Sequence, residues 1–286
     1  MSESGRSLWQ DAMRRLRSNR AAVISCWLLG AILLLALLGP SLSPYEYDQI
    51  SWDEMAMAPS LSSGHWFGTD AVGRDLFVRT AIGARISLAV AFIATTVALL
   101  IGVIYGAISG YVGGRVDSAM MRFVDLMYSM PFMFFVIVLM VVFGRNIFLI
   151  FVAIGAVEWL TMARIVRGQT ISLKNNEFIE ATVAIGASPL RVVLRHIIPN
   201  VLGPVLVYMT LTIPGVIMTE SFLSYLGLGV QEPLTSWGVL VSEGVDEMEA
   251  APWMLLIPSL FLAATLFCFN FIGDGLRDAL DPKVEQ

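Results

Sequence analysis

The sequence predicts an all-α polytopic membrane protein with six transmembrane helices, and three observations predict it. Of its 286 residues 57% are hydrophobic and only 14% charged, against about a quarter charged in soluble domains. Charge-poor apolar stretches of roughly 20 residues, the length that crosses a bilayer, recur along the whole chain. The basic residues between those stretches fall on alternate sides with a strong bias.

The first stretch runs from Ala21 to Tyr45 behind five arginines. It is too long for a signal-peptide core, and its end, Gly39-Pro40-Ser41-Leu42-Ser43-Pro44, lacks a small-x-small cleavage pattern. It reads as an uncleaved span. The chain then divides into a cytoplasmic N-terminal segment, 1–20, and one six-span domain, 21–286, with no linker or low-complexity tract inside it.

The second span covers Ile86 to Gly114. Its Gly102, Gly106, Gly110 and Gly114 form one stripe at helical spacing, a surface for close backbone approach or a point of flexure. Leu126 to Gly144 is the third. The fourth, Asn146 to Ala163, is interrupted only by Glu158, a carboxyl that at membrane depth should face the bundle interior or a wet cavity. Glu158 is therefore a candidate for the pathway or a gate, with pairing to Arg164 or Arg167, or snorkelling, as the alternatives. His196 to Thr219 and Ala250 to Gly273 complete the six.

With the N-terminus inside, 14 of the 18 lysines and arginines are cytoplasmic; Arg74, Arg79, Arg85 and Arg145 are outside. Both termini are then cytoplasmic. The acidic residues divide the other way, giving about −8 outside and +4 inside. Trp52, Trp66, Trp237 and Trp253 fall in outside loops or at span ends, where indole rings anchor at the interface.

The segment between the fourth and fifth spans carries a cytoplasmic helix-turn-helix, 177–199. Asn175 and Asn176 offer an N-cap. Glu177 to Ile185 follows helical periodicity, and Gly186 offers a C-cap. Ser188 and Pro189 open a second helix, Leu190 to Ile198, which Pro199 should stop.

Several activities are excluded. No G-x-x-x-x-G-K-[ST] loop is present, so the chain should not hydrolyse ATP. His65 and His196 lie on opposite sides of the membrane, which leaves no metal cluster and no histidine-based nucleophile. Cys26 and Cys268 sit in apolar runs and suggest neither a disulfide nor a metal site. No catalytic residues, cofactor or nucleic-acid partner are expected.

The hairpin resembles the EAA loop of ABC importer permeases: Glu180-Ala181-Thr182, three residues, Gly186, nine residues, then His196-Ile197-Ile198-Pro199. Thr182, His196 and Ile198 depart from the family's Ala, Ile and Leu, while the spacing is kept. Three further stretches resemble the second permease subunit of oligopeptide and dipeptide ABC importers. They are His65-Trp66-Phe67-Gly68-Thr69-Asp70 through Ile86-Ser87-Leu88; Phe222-Leu223-Ser224-Tyr225-Leu226-Gly227-Leu228-Gly229 through Ser236-Trp237-Gly238; and Asn270-Phe271-Ile272-Gly273 through Asp281-Pro282. The resemblance implies a type I ABC importer permease fold in a bacterial inner membrane. It also implies a coupling hairpin using Glu180, Ala181, Gly186 and Pro199. The implied partners are a second permease, two cytosolic ATP-binding subunits, an extracytoplasmic peptide-binding protein, membrane lipid and the peptide itself. Dipeptides, nickel chelates or another small solute are alternative cargoes. An ion-coupled secondary transporter is the alternative class, and it should show several buried ionisable groups; the sequence offers only Glu158.

Overall fold

The computed structural model describes residues 8–144 and 146–280. Arg6, Arg145, Lys283 and the Asp281-Pro282 end of the last motif lie outside the described residues, as do the ends of both predicted domains. Among the described residues the chain is helical with one isolated antiparallel bridge, Thr69 to Asp75.

A short helix α1, Leu8–Ser18, ends where Asn19 starts the next by accepting the Ala22 amide on its side chain at 3.2 Å. That helix, α2, spans Arg20–Leu42 and contains Pro40. Proline at position 40 leaves the Ala36 carbonyl without its helical donor. The Arg85 guanidinium supplies one, and it also donates to the Leu37 carbonyl at 2.6 Å.

α3, Leu76–Val112, is capped by Asp75, which accepts the Val78 amide at 2.8 Å. Its 37 residues make roughly 55 Å at 1.5 Å per residue, so it starts ten residues before the predicted second span. The reason lies in its arginines: Arg79 is neutralised by Asp70 and Glu243, and the donors of Arg85 are satisfied by the Ala36 and Leu37 carbonyls, so they need not end the helix.

α3 is the central helix, lying against α2, α6 and α9. Its glycines face α6, Ile147–Lys174. A Cβ on Gly102 would lie 2.6 Å from Met162 Cβ, and one on Gly110 would lie 2.8 Å from the Arg167 carbonyl. The stripe is therefore a close-packing surface. Gly114 is not part of it: with φ +58° and open space around it, it belongs to the turn into α4.

The predicted third span is broken. α4, Gly114–Ser129, and α5, Phe132–Phe143, meet at an angle of 80°. Pro131 disfavours helical backbone at the residue before it, and Met130 is extended at φ −80°, ψ 127°. Among the described residues five helices are long and apolar enough to cross a membrane, and this bent pair is the sixth if it counts as one span.

Beyond α6 come α7, Glu177–Ala184, and α8, Pro189–Val192. A single π turn, Val193–Ile197, then leads into α9, Ile198–Tyr225. Pro199 does not stop this helix as predicted. The turn before it widens, the Ile198 amide donating to the Val193 carbonyl five residues back, and the helix continues past Pro199, Pro204 and Pro214. α10, Trp237–Asp246, and α11, Trp253–Leu280, complete the bundle. α1 and the start of α2 close its hairpin end: a Cβ on Gly275 of α11 would meet Leu16 of α1 at 3.1 Å and Ala22 of α2 at 2.7 Å.

Two of the predicted interface tryptophans are structural instead. Trp237 is fully buried and donates its indole N–H to the Thr80 carbonyl at 3.2 Å. Trp253 donates to the Thr69 carbonyl at 3.3 Å. Trp52 and Trp66 are exposed.

Candidate functional site: the hairpin end and the buried carboxyls

The hairpin owes its shape to backbone chemistry. Asn176 is extended ahead of α7 but makes no side-chain cap; its carbonyl accepts the Ile179 and Glu180 amides. Gly186 has φ +89°, a conformation open to glycine at little cost. Its amide donates to the Val183 carbonyl at 2.9 Å and that of Ala187 to the Thr182 carbonyl at 3.3 Å. This pair of bonds is the Schellman closure. Pro189 then opens α8 as predicted; Ser188 stands at the N-cap position without a side-chain capping bond, its carbonyl accepting the Val192 amide at 3.0 Å.

One residue of α7 is buried: Ile179, at 1% exposure, enters a cluster with Val103 and Ala107 of α3, Met162 and Val166 of α6, Val192 of α8, Ile197 of the π turn and Val201 of α9. The rest of α7 is exposed or half-exposed. Glu180, Ala181 and Gly186 are exposed together, among Phe178, Val183, Ile185 and Leu190, the last two at 86% and 68% exposure. Exposed apolar side chains in such a group mark a contact surface. Pro199 is exposed too but stands past the π turn at the start of α9, apart from the α7–α8 corner.

The platform beneath the hairpin is braced by charge. The Arg167 guanidinium grips Asp117 with two bonds of 2.5 and 2.6 Å, and the Ser109 hydroxyl donates to the same carboxylate at 2.5 Å. Lys174 donates to the Tyr111 carbonyl at 2.7 Å, at the C-terminal end of α3 where carbonyls lack helical donors. The ends of α3, α4 and α6 are thereby tied to one another.

Arg164 pairs with Asp125 at 2.7 Å. Both arginines that could have paired with Glu158 therefore have other partners. Glu158 is half-buried on α6 and, among the described residues, forms no hydrogen bond or ion pair.

A second carboxyl escaped the sequence reading. Glu220, counted with the outside loops, is wholly buried in α9. It accepts the Ser87 hydroxyl of α3 at 3.1 Å and the Ser224 hydroxyl at 2.7 Å. Ser236, the N-cap of α10, donates to the Ser224 hydroxyl at 3.3 Å. The signal was available: all three serines stand in stretches singled out for their motifs.

At the opposite end of the bundle the first motif folds into an ionic corner. Arg79 joins Asp70 to Glu243 of α10, bonding the latter at 2.8 and 3.0 Å. Arg74 holds Asp70 at 2.7 Å and Glu232 at 2.9 Å. His65 meets Asp75 at 2.8 Å. Burial pushes the Asp70 carboxyl up, but the Arg79 charge and the hydrogen bonds from Arg74 outweigh it, and its pKa falls below the ordinary value.

With this geometry established, the comparisons are specific. Residues 99–286 match the family described as binding-protein-dependent transport system inner membrane component, and residues 7–59 match the N-terminal TM domain of oligopeptide transport permease C. The oligopeptide transport system permease protein OppC of Escherichia coli K12 is 63% identical over 98% of this chain and 92% of its own length. The protein of that name from Bacillus subtilis is 48% identical over 100% of this chain and 93% of its own. The dipeptide transport system permease protein DppC of Bacillus subtilis is 45% identical over 98% of this chain and 87% of its own. The fold is similar to that of a chain in an inward-facing structure of the MetNI methionine ABC transporter, with a TM-score of 0.57 at 18% identity over 70% of this chain and 94% of that one.

Proposed function

The chain belongs to the family of binding-protein-dependent transport system inner membrane components, and from that premise we propose that it is the pore-forming permease subunit of an ATP-driven importer of oligopeptides. It is a multi-pass subunit of the inner membrane and carries no catalytic centre; ATP hydrolysis belongs to its partners. Those partners are two cytosolic ATP-binding subunits, a second permease enclosing the path with this one, and an extracytoplasmic protein that delivers the peptide. Both termini are cytoplasmic, the side to which the basic residues assign the hairpin. Residues 21–286 form the permease domain behind a short cytoplasmic segment, 1–20.

The observation that carries this reading is the division of labour within α7. Glu180, Ala181 and Gly186 present an exposed surface to the ATPase, while Ile179 is buried in the apolar cluster that α7 shares with α3, α6, α8 and α9. Movement of the ATPase against that surface is passed to the spans through one packed side chain, because close-packed interiors shift between discrete arrangements instead of yielding continuously. Pro199 acts at one remove, at the π turn that joins the hairpin to α9. Glu158 faces the path. Oligopeptides are preferred to dipeptides as cargo because the oligopeptide relatives reach 63% identity and the dipeptide relative 45%.

Reconstitution tests the proposal. The complex purified through this chain should contain two ATP-binding subunits and a second permease, and in proteoliposomes with its binding protein it should accumulate a labelled pentapeptide only with ATP. Accumulation without ATP, driven by an ion gradient, would replace the importer by a secondary transporter.

A further inference from the structure

Glu158 stands where an unpaired carboxyl is costly, since a charged group at membrane depth must find water or an opposite charge. Its helix offers no free opposite charge. Arg164 is held by Asp125 and Arg167 by Asp117, and neighbouring Ile154 and Met162 are buried in apolar packing.

What lies beside Glu158 changes character along the helix. The first turns of α6 expose Phe148 and Val152, a surface suited to lipid. Past Glu158 the exposed residues become Thr161 and Arg164. Thr161 is hydrogen-bonded to the hydroxyl of Tyr128 on α4, and the Arg164 guanidinium lies 4.3 Å above the Tyr128 ring while paired with exposed Asp125. α4 and α6 thus share an exposed strip that carries the Thr161 and Tyr128 hydroxyls, the Tyr128 ring and one internally neutralised ion pair, with Phe123 and Leu126 of α4 exposed beside it, and it leads from Glu158 toward the hairpin end. Within that strip Glu158 carries the unmatched charge.

We propose that this strip is a binding step on the translocation path, in which Glu158 receives a primary ammonium, the free α-amino end of the passing peptide. The inference rests on the reading of Glu158 as path-facing and adds a ligand to it. A peptide importer must handle varied side chains, and the α-amino group is a cation that every unmodified peptide carries. Arg164 does not cancel the attraction, because Asp125 already neutralises it. The strip's hydroxyls can exchange hydrogen bonds with peptide backbone of any sequence.

The test uses the assembled complex with Cys26→Ala and Cys268→Ala in this chain and a reporter cysteine, Thr161→Cys. Its rates of reaction with aminoethyl methanethiosulfonate, a primary ammonium, and with the anionic sulfonatoethyl reagent are compared before and after Glu158→Gln. Uptake of a free-amine pentapeptide by Glu158→Gln and Glu158→Asp is measured alongside, with Thr161 intact. The ammonium-to-sulfonate rate ratio should fall about tenfold on neutralising Glu158, as expected for loss of a nearby charge in a partly screened site. Uptake should fall with it, and Glu158→Asp should restore part of both. If neither reagent reaches the reporter, the path-facing reading fails and the binding step with it. If both react but the ratio stays constant, the path stands and the ammonium site is overturned. A changed ratio with unchanged uptake also overturns it, as would pairing of Glu158 with a cation of the partner permease revealed by cross-linking. Should Thr161→Cys fail to assemble, Tyr128→Cys gives the same comparison from the facing helix.

Discussion

Glu220 of α9 accepts a hydrogen bond from Ser87 of α3 at 3.1 Å, with neither residue exposed to solvent. Ser87 in turn accepts the backbone amide of Trp237 at 3.2 Å, so a single hydroxyl joins the carboxyl to the first residue of α10. Ser224 and Ser236 close the circuit. Two long spans and the helix between α9 and α11 therefore share one buried polar knot. Removing its acceptor leaves buried hydroxyls unmatched, at about 1–3 kcal/mol each. Glu220→Ala should lower the thermal midpoint of the purified subunit by several degrees, while Glu220→Gln, which keeps an acceptor and the shape, should lose far less. Equal midpoints for the alanine and parent chains would show that the knot does not hold α10.

The ionic corner at the opposite end predicts an acid limit. Asp70 titrates below its ordinary value of 3.8 because the attraction of Arg79 and the Arg74 bonds exceed the cost of burial. A carboxyl depressed on folding stabilises the fold above its unfolded pKa and loses that contribution as pH falls through the folded one. Asp70→Asn should therefore be less stable than the parent at pH 7. The gap should persist down to about the ordinary carboxylate range and close only below it. Thermal melts at stepped pH measure this, and a gap that closed between pH 7 and 5 would contradict the assignment.

The glycine face of α3 predicts a contrast between two small substitutions. A Cβ on Gly106 would fall 2.9 Å from both the Arg167 amide nitrogen and Val166 Cβ, whereas one on Gly168 of α6 meets nothing within 4 Å. The atoms at Gly106 are backbone and a β-branched side chain, which cannot swing aside. Gly106→Leu should abolish accumulation of folded protein, and Gly106→Ala should destabilise by roughly 1–3 kcal/mol, the usual cost of overpacking. Gly168→Ala should be neutral or slightly stabilising. Expression and melting of the three variants decide it.

How far the sequence revealed these features depends on the range of the forces behind them. The Gly186 turn was legible because its cause is local: a left-handed residue between a short apolar helix and Ser188-Pro189. The close-packing stripe was legible for three of its four glycines, since helical spacing alone orders Gly102, Gly106 and Gly110. The early start of α3 was not, because Arg79 and Arg85 look like span-ending charges until Asp70, Glu243 and the Ala36 carbonyl are brought beside them. Pro199 misled for a related reason, as a widened turn upstream removes the conflict that a proline creates in a regular helix. Trp237 and Glu220 were each assigned to the boundary by their neighbours in the chain. Their burial depends on Thr80 and Ser87, roughly 130 to 160 residues away.

The hairpin yields the last prediction, because its two sides can be altered separately. Glu180 is exposed, so Glu180→Lys changes the contact surface without disturbing the bundle; it should weaken retention of the ATP-binding subunits during purification. Ile179 is buried, so Ile179→Ala removes the packed link, at about 2–5 kcal/mol for a large aliphatic cut to alanine, while leaving Glu180, Ala181 and Gly186 in place. That variant should keep its ATPase subunits yet hydrolyse ATP with less peptide uptake per turnover. Gly186→Val forces a β-branched side chain to φ +89°, at roughly 1–2 kcal/mol or more. It should impair both retention and coupling, because the Schellman closure orients both sides of α7. Ser62→Ala, in an exposed loop at the other end of the bundle, should change nothing. Subunit retention, peptide-stimulated ATP hydrolysis and uptake, measured together on the four variants, separate docking from transmission. If Ile179→Ala loses the ATPase as readily as Glu180→Lys does, α7 acts only as a docking surface and the buried isoleucine is not the transmitting contact.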